Sequence, residues 1–327
     1  MEYTYLGKSL PRNRDLDRLT GKSLYAGDFR LPGMLWGKIL HSPHAHARIL
    51  SIDIAAARRL PGVKAVVTNA DTPGVKIGRW LQDRSVLAEG VVRYIGEPVA
   101  AVAAIDQETA EEALELIRVK YKELPAVFDP LEAMAPDSPL VHKDRDAIDP
   151  KKYRGRGEGN ILLECVVRRG DVEQGLAQSH IVYQESYRTQ AVHQGFMEPH
   201  AAFAAVDSQG KVTLWASTKA PFIIRKMTAK ALGLPLSKIR VIAPALGGDF
   251  GGKGSAYIEP IAVLLALKSG LPVKLVLNRQ EELTSTFIRD AAFIELTMGA
   301  TKDGDLLALK GQMVFDLIYM YPETGFM

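Results

Sequence analysis

One cysteine, Cys165, is present in 327 residues, which excludes an intrachain disulfide framework and any cysteine-built zinc or iron–sulfur site within this chain. Net charge is almost absent too. The 41 Lys and Arg against 38 Asp and Glu leave a formal +3, too little to direct the chain to nucleic acid or a membrane surface. No apolar run reaches the roughly 18 residues that a bilayer span needs, and the N-terminal stretch MEYTYLGKSLPRNRDLDRLTGKS is charged throughout, without the apolar core of a signal peptide. These absences point to a cytoplasmic protein with neither a nucleic-acid nor a membrane partner. Two local features are read against their surroundings: KKYRGRGEG at 151–159 as a solvated loop in preference to a phosphate-contacting patch, and Cys165, inside the apolar run ILLECVV, as a buried, unreactive thiol.

The length exceeds the usual single domain, so two domains are expected. MLWGKILHS, ARILSID, GVKAVVT and EPVAAVAAI read as strands by period-two patterning or as short apolar runs bounded by turn residues. Between Asp106 and Arg118, Ala110, Ala113, Leu114 and Ile117 recur at helical spacing with acids in the first turn, and the strand IRVKYKEL follows. Five prolines between Pro125 and Pro150 interrupt regular structure and mark a boundary near residue 130, giving domains 1–130 and 131–327. Beyond it lie a helix around DVEQGLAQ, the strand HIVYQESYRT, and AAFAAVD and KVTLWAST joined by the turn DSQGK as a hairpin. The helix IIRKMTAKALG, the strand KIRVIAP, the helix AYIEPIAVLLALKSG closed by Gly270 and the strand VKLVLN complete the pattern. The last strand, helix and strand read as a βαβ unit whose connection is the glycine-rich ALGGDFGGKGSAY at 245–257.

That turn invites a phosphate-loop reading, because Gly247, Gly252 and Lys253 satisfy G-x-x-x-x-G-K. The next residue fails it: the motif needs a serine or threonine to hold magnesium, whereas here Gly254 stands and Ser255 comes one position late. Asp249 also places a negative charge where a triphosphate would lie. What remains is either a cradle of backbone amides for an anionic or oxo ligand or a tight turn required by strand–helix packing alone. His41, His44 and His46, with His193 and His200 around QGFMEP, read as surface or core histidines in preference to metal ligands, since no acidic or cysteine partner lies beside them in the sequence. Glu198, in apolar surroundings, is either a carboxyl raised by burial or one paired with a backbone amide. No nucleophile with its base is found.

Several stretches taken together resemble one family, the large molybdenum-containing chain of xanthine dehydrogenases and aldehyde oxidases. RLTGKSLYAGDFRLPGMLWGKILHSPHAHARILSID, RYIGEPVAAVAA and YKELPAVFDPLEAM resemble its hammerhead domain and linker. HQGFMEPHAAFAAVDSQGKVTLWAST, LGLPLSKIRVIAP and GGDFGGK resemble the start of its molybdopterin-binding region. The implied fold is α+β, an N-terminal α/β hammerhead followed by the first part of a mixed α/β molybdopterin-binding domain. The implied activity is oxidation of an aldehyde, aromatic N-heterocycle or related small molecule at a molybdenum–pterin cofactor, with electrons leaving through iron–sulfur clusters and, in some members, FAD on partner subunits.

Carried over by position, the resemblance places Lys219, Gly247, Gly248, Phe250 and Gly251 at the cofactor, with the backbone of Phe250 and Gly251 nearest the metal's oxo ligands and with no metal ligand from the protein. Lys219 stands where the family commonly has glutamine, Asp249 replaces a usual glycine, and Gly254 occupies the place of a substrate-orienting glutamate of the xanthine type. The general base falls in a C-terminal half beyond this chain, so no catalytic residue is assigned here. After GQMVFD the run LIYMYPETGFM also departs from the family. The expectation is therefore one part of a molybdenum subunit completed by a second molybdopterin-binding chain and joined by a two-iron two-sulfur subunit. The alternative is a truncated or diverged homologue that keeps only the scaffold.

Overall fold

The computed structural model describes residues 3–11, 15–78, 82–142 and 158–317. In chain order the first segment holds α1 (Asp15–Leu19), β1 (Leu35–His41), β2 (Ala47–Asp53), α2 (Ala55–Arg59), β3 (Val63–Thr68), β4 (Val91–Val92), β5 (Pro98–Ala104), α3 (Gln107–Glu115) and β6 (Arg118–Glu123). There follow α4 (Pro130–Ala133), α5 (Val172–Ala177), β7 (Ile181–Thr189), β8 (Ala201–Val206), β9 (Val212–Ala216), α6 (Pro221–Ala231) and β10 (Ile239–Ile242). The last elements are α7 (Glu259–Ser269), β11 (Val273–Val276), α8 (Arg279–Ser285), β12 (Ala291–Ala300) and β13 (Leu306–Asp316). Three sheets result: a seven-stranded one in the order β10-β9-β8-β11-β1-β5-β3, and three-stranded ones in the orders β13-β12-β7 and β4-β2-β6.

Why PVAAVAA makes the inner strand β5 follows from its two faces. Every residue of it is buried, and alternate side chains enter different cores. Ala101 and Ala103 join the cluster that contains Ile261 and Leu265 of α7. Ala100, Val102 and Ala104 join Ala57 of α2 and Ala110 and Ala113 of α3. Small residues on both faces let a helix pack closely on each side, as in sheets covered on both faces. The helices differ accordingly. α3 is amphipathic and begins at Asp106, whose carboxylate accepts the Thr109 amide at 2.7 Å, a cap worth about 1 kcal/mol. α7 is buried from Glu259 through Ala266, and each of its large apolar side chains contributes roughly 1.5–3 kcal/mol by burial. It ends at Gly270 in the left-handed region, φ 71°, the conformation glycine adopts most easily.

The hairpin read in AAFAAVD and KVTLWAST is present as the antiparallel pair β8–β9. The βαβ reading needs correction. β10 and β11 are parallel and joined through α7, but they are not neighbours, because the β8–β9 hairpin lies between them in the sheet. Strand β1 pairs in parallel with β11, so strands from before and after residue 130 share one sheet. Cys165 is exposed rather than buried, because ILLECVV joins no ladder among the described residues and Val166 and Val167 stand in solvent. The segments read at 151–157 and 318–327 lie outside the described residues. No helix among the described residues is long and apolar enough to cross a membrane.

Candidate functional site

The glycine turn leaves β10 and re-enters the core at α7, and its backbone is fixed by what surrounds it. Gly248 has φ 104°, and a Cβ there would lie 2.7 Å from Phe196 Cβ, so no other residue fits. Phe250 is the sole non-glycine residue with positive φ among the described residues, at 44°. Its ring is 66% exposed, so burial of the ring does not explain a backbone conformation that costs an L-residue roughly 1–2 kcal/mol. Strain of this kind, without compensating packing, marks a candidate functional position.

Four charged side chains organise the turn in two layers. In the inner layer the Lys253 ammonium, 1% exposed, donates to the Glu198 carbonyl at 2.6 Å and to Glu198 Oε2 at 3.1 Å, and it lies 4.5 Å from the Phe196 ring centroid. The Gly247 amide donates to the same Oε2 at 2.7 Å. Burial pushes the Lys253 pKa below its usual range, against the opposing pull of Glu198. The apolar environment seen around Glu198 in the sequence thus hides a buried ion pair with a backbone amide added.

In the outer layer Asp249 folds back on its own turn. Its Oδ1 accepts the Lys253 amide at 2.6 Å, and its Oδ2 accepts the Gly251 amide at 3.1 Å and the Lys219 ammonium at 2.8 Å. Burial acts to raise this carboxyl, but Lys219 and the two amides outweigh it and hold it below the usual carboxylate range. The two departures noted in the sequence, Lys219 and Asp249, are therefore one feature: each neutralises the other. Gly252 donates to the Asp249 carbonyl at 2.7 Å. With Gly247, Gly251, Gly252 and Lys253 engaged internally, the amides of Gly248 and Phe250 have no partner among the described residues. Arg289 fixes the far side of the turn, donating from Nη2 to the Phe250 carbonyl at 3.3 Å.

Beside Phe196 lies a buried histidine–carboxylate cluster. His200 Nδ1 donates to Glu282 Oε1 at 2.8 Å, and the His200 amide donates to Glu282 Oε2 at 2.5 Å. His193 accepts the Gly195 amide at Nδ1 and so carries its proton on Nε2, which faces Thr286 Oγ1 at 3.1 Å. Burial works to raise Glu282, yet the bonds from His200 and Thr286 hold its pKa down to about 2. Burial lowers His193 in spite of the Glu282 charge. In the sequence these histidines stand singly. Their acid comes from α8, some 80 positions on, so no local signal joins them. Gln194, whose side chain lies against Gly252, escapes sequence reasoning for the same reason. His41, His44 and His46 belong to the first segment: His41 is half-buried, and desolvation lowers its pKa to about 4, His44 lies 3.4 Å from Glu123, and His46 Nδ1 bonds the Pro125 carbonyl at 2.6 Å.

Comparison with known proteins decides the ancestry. The family model described as "Molybdopterin cofactor-binding domain" matches residues 155–324, which contain the whole glycine turn, and "Aldehyde oxidase and xanthine dehydrogenase, a/b hammerhead domain" matches 20–125. The chain belongs to the xanthine dehydrogenase and aldehyde oxidase family. Within this family it is similar to a probable xanthine dehydrogenase subunit of Bacillus subtilis, with 39% identity over 91% of this chain and 38% of that one. It is 33% identical to the "Nicotinate dehydrogenase large molybdopterin subunit" of Eubacterium barkeri over 96% of this chain and 71% of that one. Among solved structures, CO dehydrogenase from Oligotropha carboxidovorans superposes with a TM-score of 0.82 at 36% identity, over 95% of this chain and 40% of that one. The chain thus spans about two fifths of the length of the first of these relatives.

Proposed function

We propose that this chain is part of the molybdenum-cofactor subunit of a molybdenum hydroxylase-type oxidoreductase, completed by a further molybdopterin-binding part carried on a second chain. The observation that carries the reading is the Phe250 amide, without a partner among the described residues and held in a strained conformation, next in the chain to Asp249, whose carboxylate holds the Lys219 ammonium at 2.8 Å. A backbone donor and a cation held at one turn suit the oxo groups of a molybdenum–pterin cofactor. Gly247 and Gly248 bring the backbone close by lacking side chains, Phe250 supplies a donor, and Lys219, paired with Asp249, supplies a further one. Gly251 adds its amide when Asp249 yields it. When bound, the cofactor supplies the redox centre. The residues of this chain orient it and balance its charge.

The wider assembly follows from the same reading. A substrate class of aldehydes, aromatic N-heterocycles or related small molecules, a two-iron two-sulfur subunit, a FAD subunit in some arrangements, cytoplasmic placement and a division near residue 130 into hammerhead and molybdopterin-binding domains belong to it. The general base is expected outside this chain. Support for a separate second chain comes from the unequal coverage of relatives, 71% of the nicotinate dehydrogenase large molybdopterin subunit against 38% of the Bacillus subtilis protein. Purification of the assembled complex with measurement of molybdenum and of the fluorescent pterin oxidation product tests the reading: both present support it, both absent defeat it. The competing reading, a scaffold without catalysis, draws on the Lys219–Asp249 pair, which occupies part of the cradle. It predicts a stable complex that contains neither.

A further inference from the structure

Asp249 is held by its own turn in the way a turn holds a foreign anion. Its carboxylate, 14% exposed, collects three donors: the Lys253 amide on Oδ1 at 2.6 Å, and on Oδ2 the Gly251 amide at 3.1 Å and the Lys219 ammonium at 2.8 Å. Two backbone amides and a cation converging on one pair of oxygens are the donor set of an oxyanion site. Phe250 and Gly251 have consecutive positive φ, 44° and 104°, and a backbone turned in this way presents successive amides to an anion. The cation is built in from outside the turn. Thr218 Oγ1 and the Lys219 amide both donate to the Lys253 carbonyl, at 2.9 and 3.3 Å, so the segment that carries the ammonium is anchored to the cradle. Burial opposes ionisation of Asp249, yet Lys219 and the two amides hold its carboxyl below the usual range. The inner pair Lys253–Glu198 is balanced within itself. Without the Asp249 carboxylate the cradle would therefore keep the positive charge of Lys219.

Resting on the reading of the turn as a cofactor cradle, we propose that the donors gathered on Asp249 form a tetrahedral-oxyanion site, which the chain keeps occupied with its own carboxylate until a more strongly held anionic ligand displaces it. Tethering sets the order of preference. A carboxylate on the same turn competes at an effective concentration on the order of millimolar or more, so a free inorganic anion at trace concentration does not enter. A ligand held by further contacts does. The amides of Gly248 and Phe250, which have no partner among the described residues, supply such contacts. On displacement, Lys219 and the amides of Gly251 and Lys253 pass from the carboxylate to the ligand, and Asp249 is released. The site is thus closed to small oxyanions and open to a larger molecule that carries an oxyanion group.

The test is equilibrium dialysis of the full chain, purified without cofactor, against sodium molybdate at neutral pH, comparing wild type with Asp249→Gly, Asp249→Asn and Asp249→Gly/Lys219→Met. Circular dichroism checks folding, and Asp249→Asn, which keeps one acceptor for the turn and drops the charge, serves where the glycine variant is unstable. The expected result is a dissociation constant lowered about 30-fold by Asp249→Gly and about threefold by Asp249→Asn, with about tenfold of the gain lost in the double variant, the order expected of hydrogen bonds to charged groups. Adding Lys226→Met, at an exposed position of α6, should take none of the gain away. A folded Asp249→Gly protein that binds no more tightly than wild type overturns the proposal, and so does a gain that Lys219→Met leaves intact. Where the glycine variant does not fold, an asparagine variant no tighter than wild type overturns it likewise. Molybdate bound as expected by the variants, together with an assembled wild-type complex that holds neither molybdenum nor pterin, leaves the oxyanion site standing and defeats the cofactor reading, so the two failures are distinguishable.

Discussion

Lys253→Met should be among the most damaging single substitutions at the glycine turn, and its magnitude follows from what it strands. The ammonium is nearly inaccessible and serves the Glu198 carbonyl, Glu198 Oε2 and the Phe196 ring at once. Methionine fills the volume and removes the charge. Glu198 is then left with the Gly247 amide at Oε2, while Oε1, already buried without a partner, gains none. Breaking a buried pair by removing one member costs about 3–5 kcal/mol, equivalent to a fall in melting temperature of roughly 4–7 °C for a chain of this size. Glu198→Gln removes the stranded charge, so the double variant should recover part of the loss, with a coupling energy on the order of 1–3 kcal/mol. Urea titration of the four proteins in the cycle measures this. A Lys253→Met protein within about 1 kcal/mol of wild type, or a coupling below about 0.5 kcal/mol, would refute the claim that this pair clamps the turn to the loop at 194–199.

Three further outcomes follow from the same geometry. Phe250→Gly should stabilise the chain by about 1 kcal/mol, by relieving the left-handed backbone strain, while leaving the backbone amide and hence the cofactor content of the assembled protein in place; a loss of stability would show that the ring is held by packing instead. Lys219→Gln should cost less than about 1 kcal/mol, since the lysine side chain is 47% exposed and such pairs are screened, and it should leave molybdenum content intact or raised. Glu282 has a folded pKa depressed from 4.5 to about 2, so its stabilisation is fully present above its unfolded value and is lost as pH falls from about 5 through about 2. Glu282→Gln should flatten acid unfolding in that window, and an unchanged acid midpoint would contradict the cluster's role.

Local patterns carry much of the fold into the sequence. α3 is legible because one face is wet, and Asp106 and its acids announce the start. β5 is legible only as a short apolar run, since both faces are buried and the period-two signal vanishes. The strands β12 and β13 are absent from the sequence-based expectation even though Asp303-Gly304 lies between two alternating runs, a hairpin signal in its own right. Cys165 defies its expected burial because an apolar run is buried only where something packs on it, and ILLECVV joins no ladder among the described residues. At the candidate site the glycines and Lys219 are visible one at a time. The pairs Lys219–Asp249 and Lys253–Glu198 span 30 and 55 positions, and no pattern within a helix turn or a strand reports contacts of that separation.

Whether the glycine turn holds a cofactor is decided by the molybdenum stoichiometry of the purified assembly. Elemental analysis of the complex containing this chain should give about one molybdenum per chain, together with pterin, in the wild type, and markedly less when Gly248→Ala, whose Cβ would meet Phe196, displaces the turn. A stable, fully assembled complex with neither molybdenum nor pterin would overturn the cofactor reading and leave the glycine turn as a packing device alone.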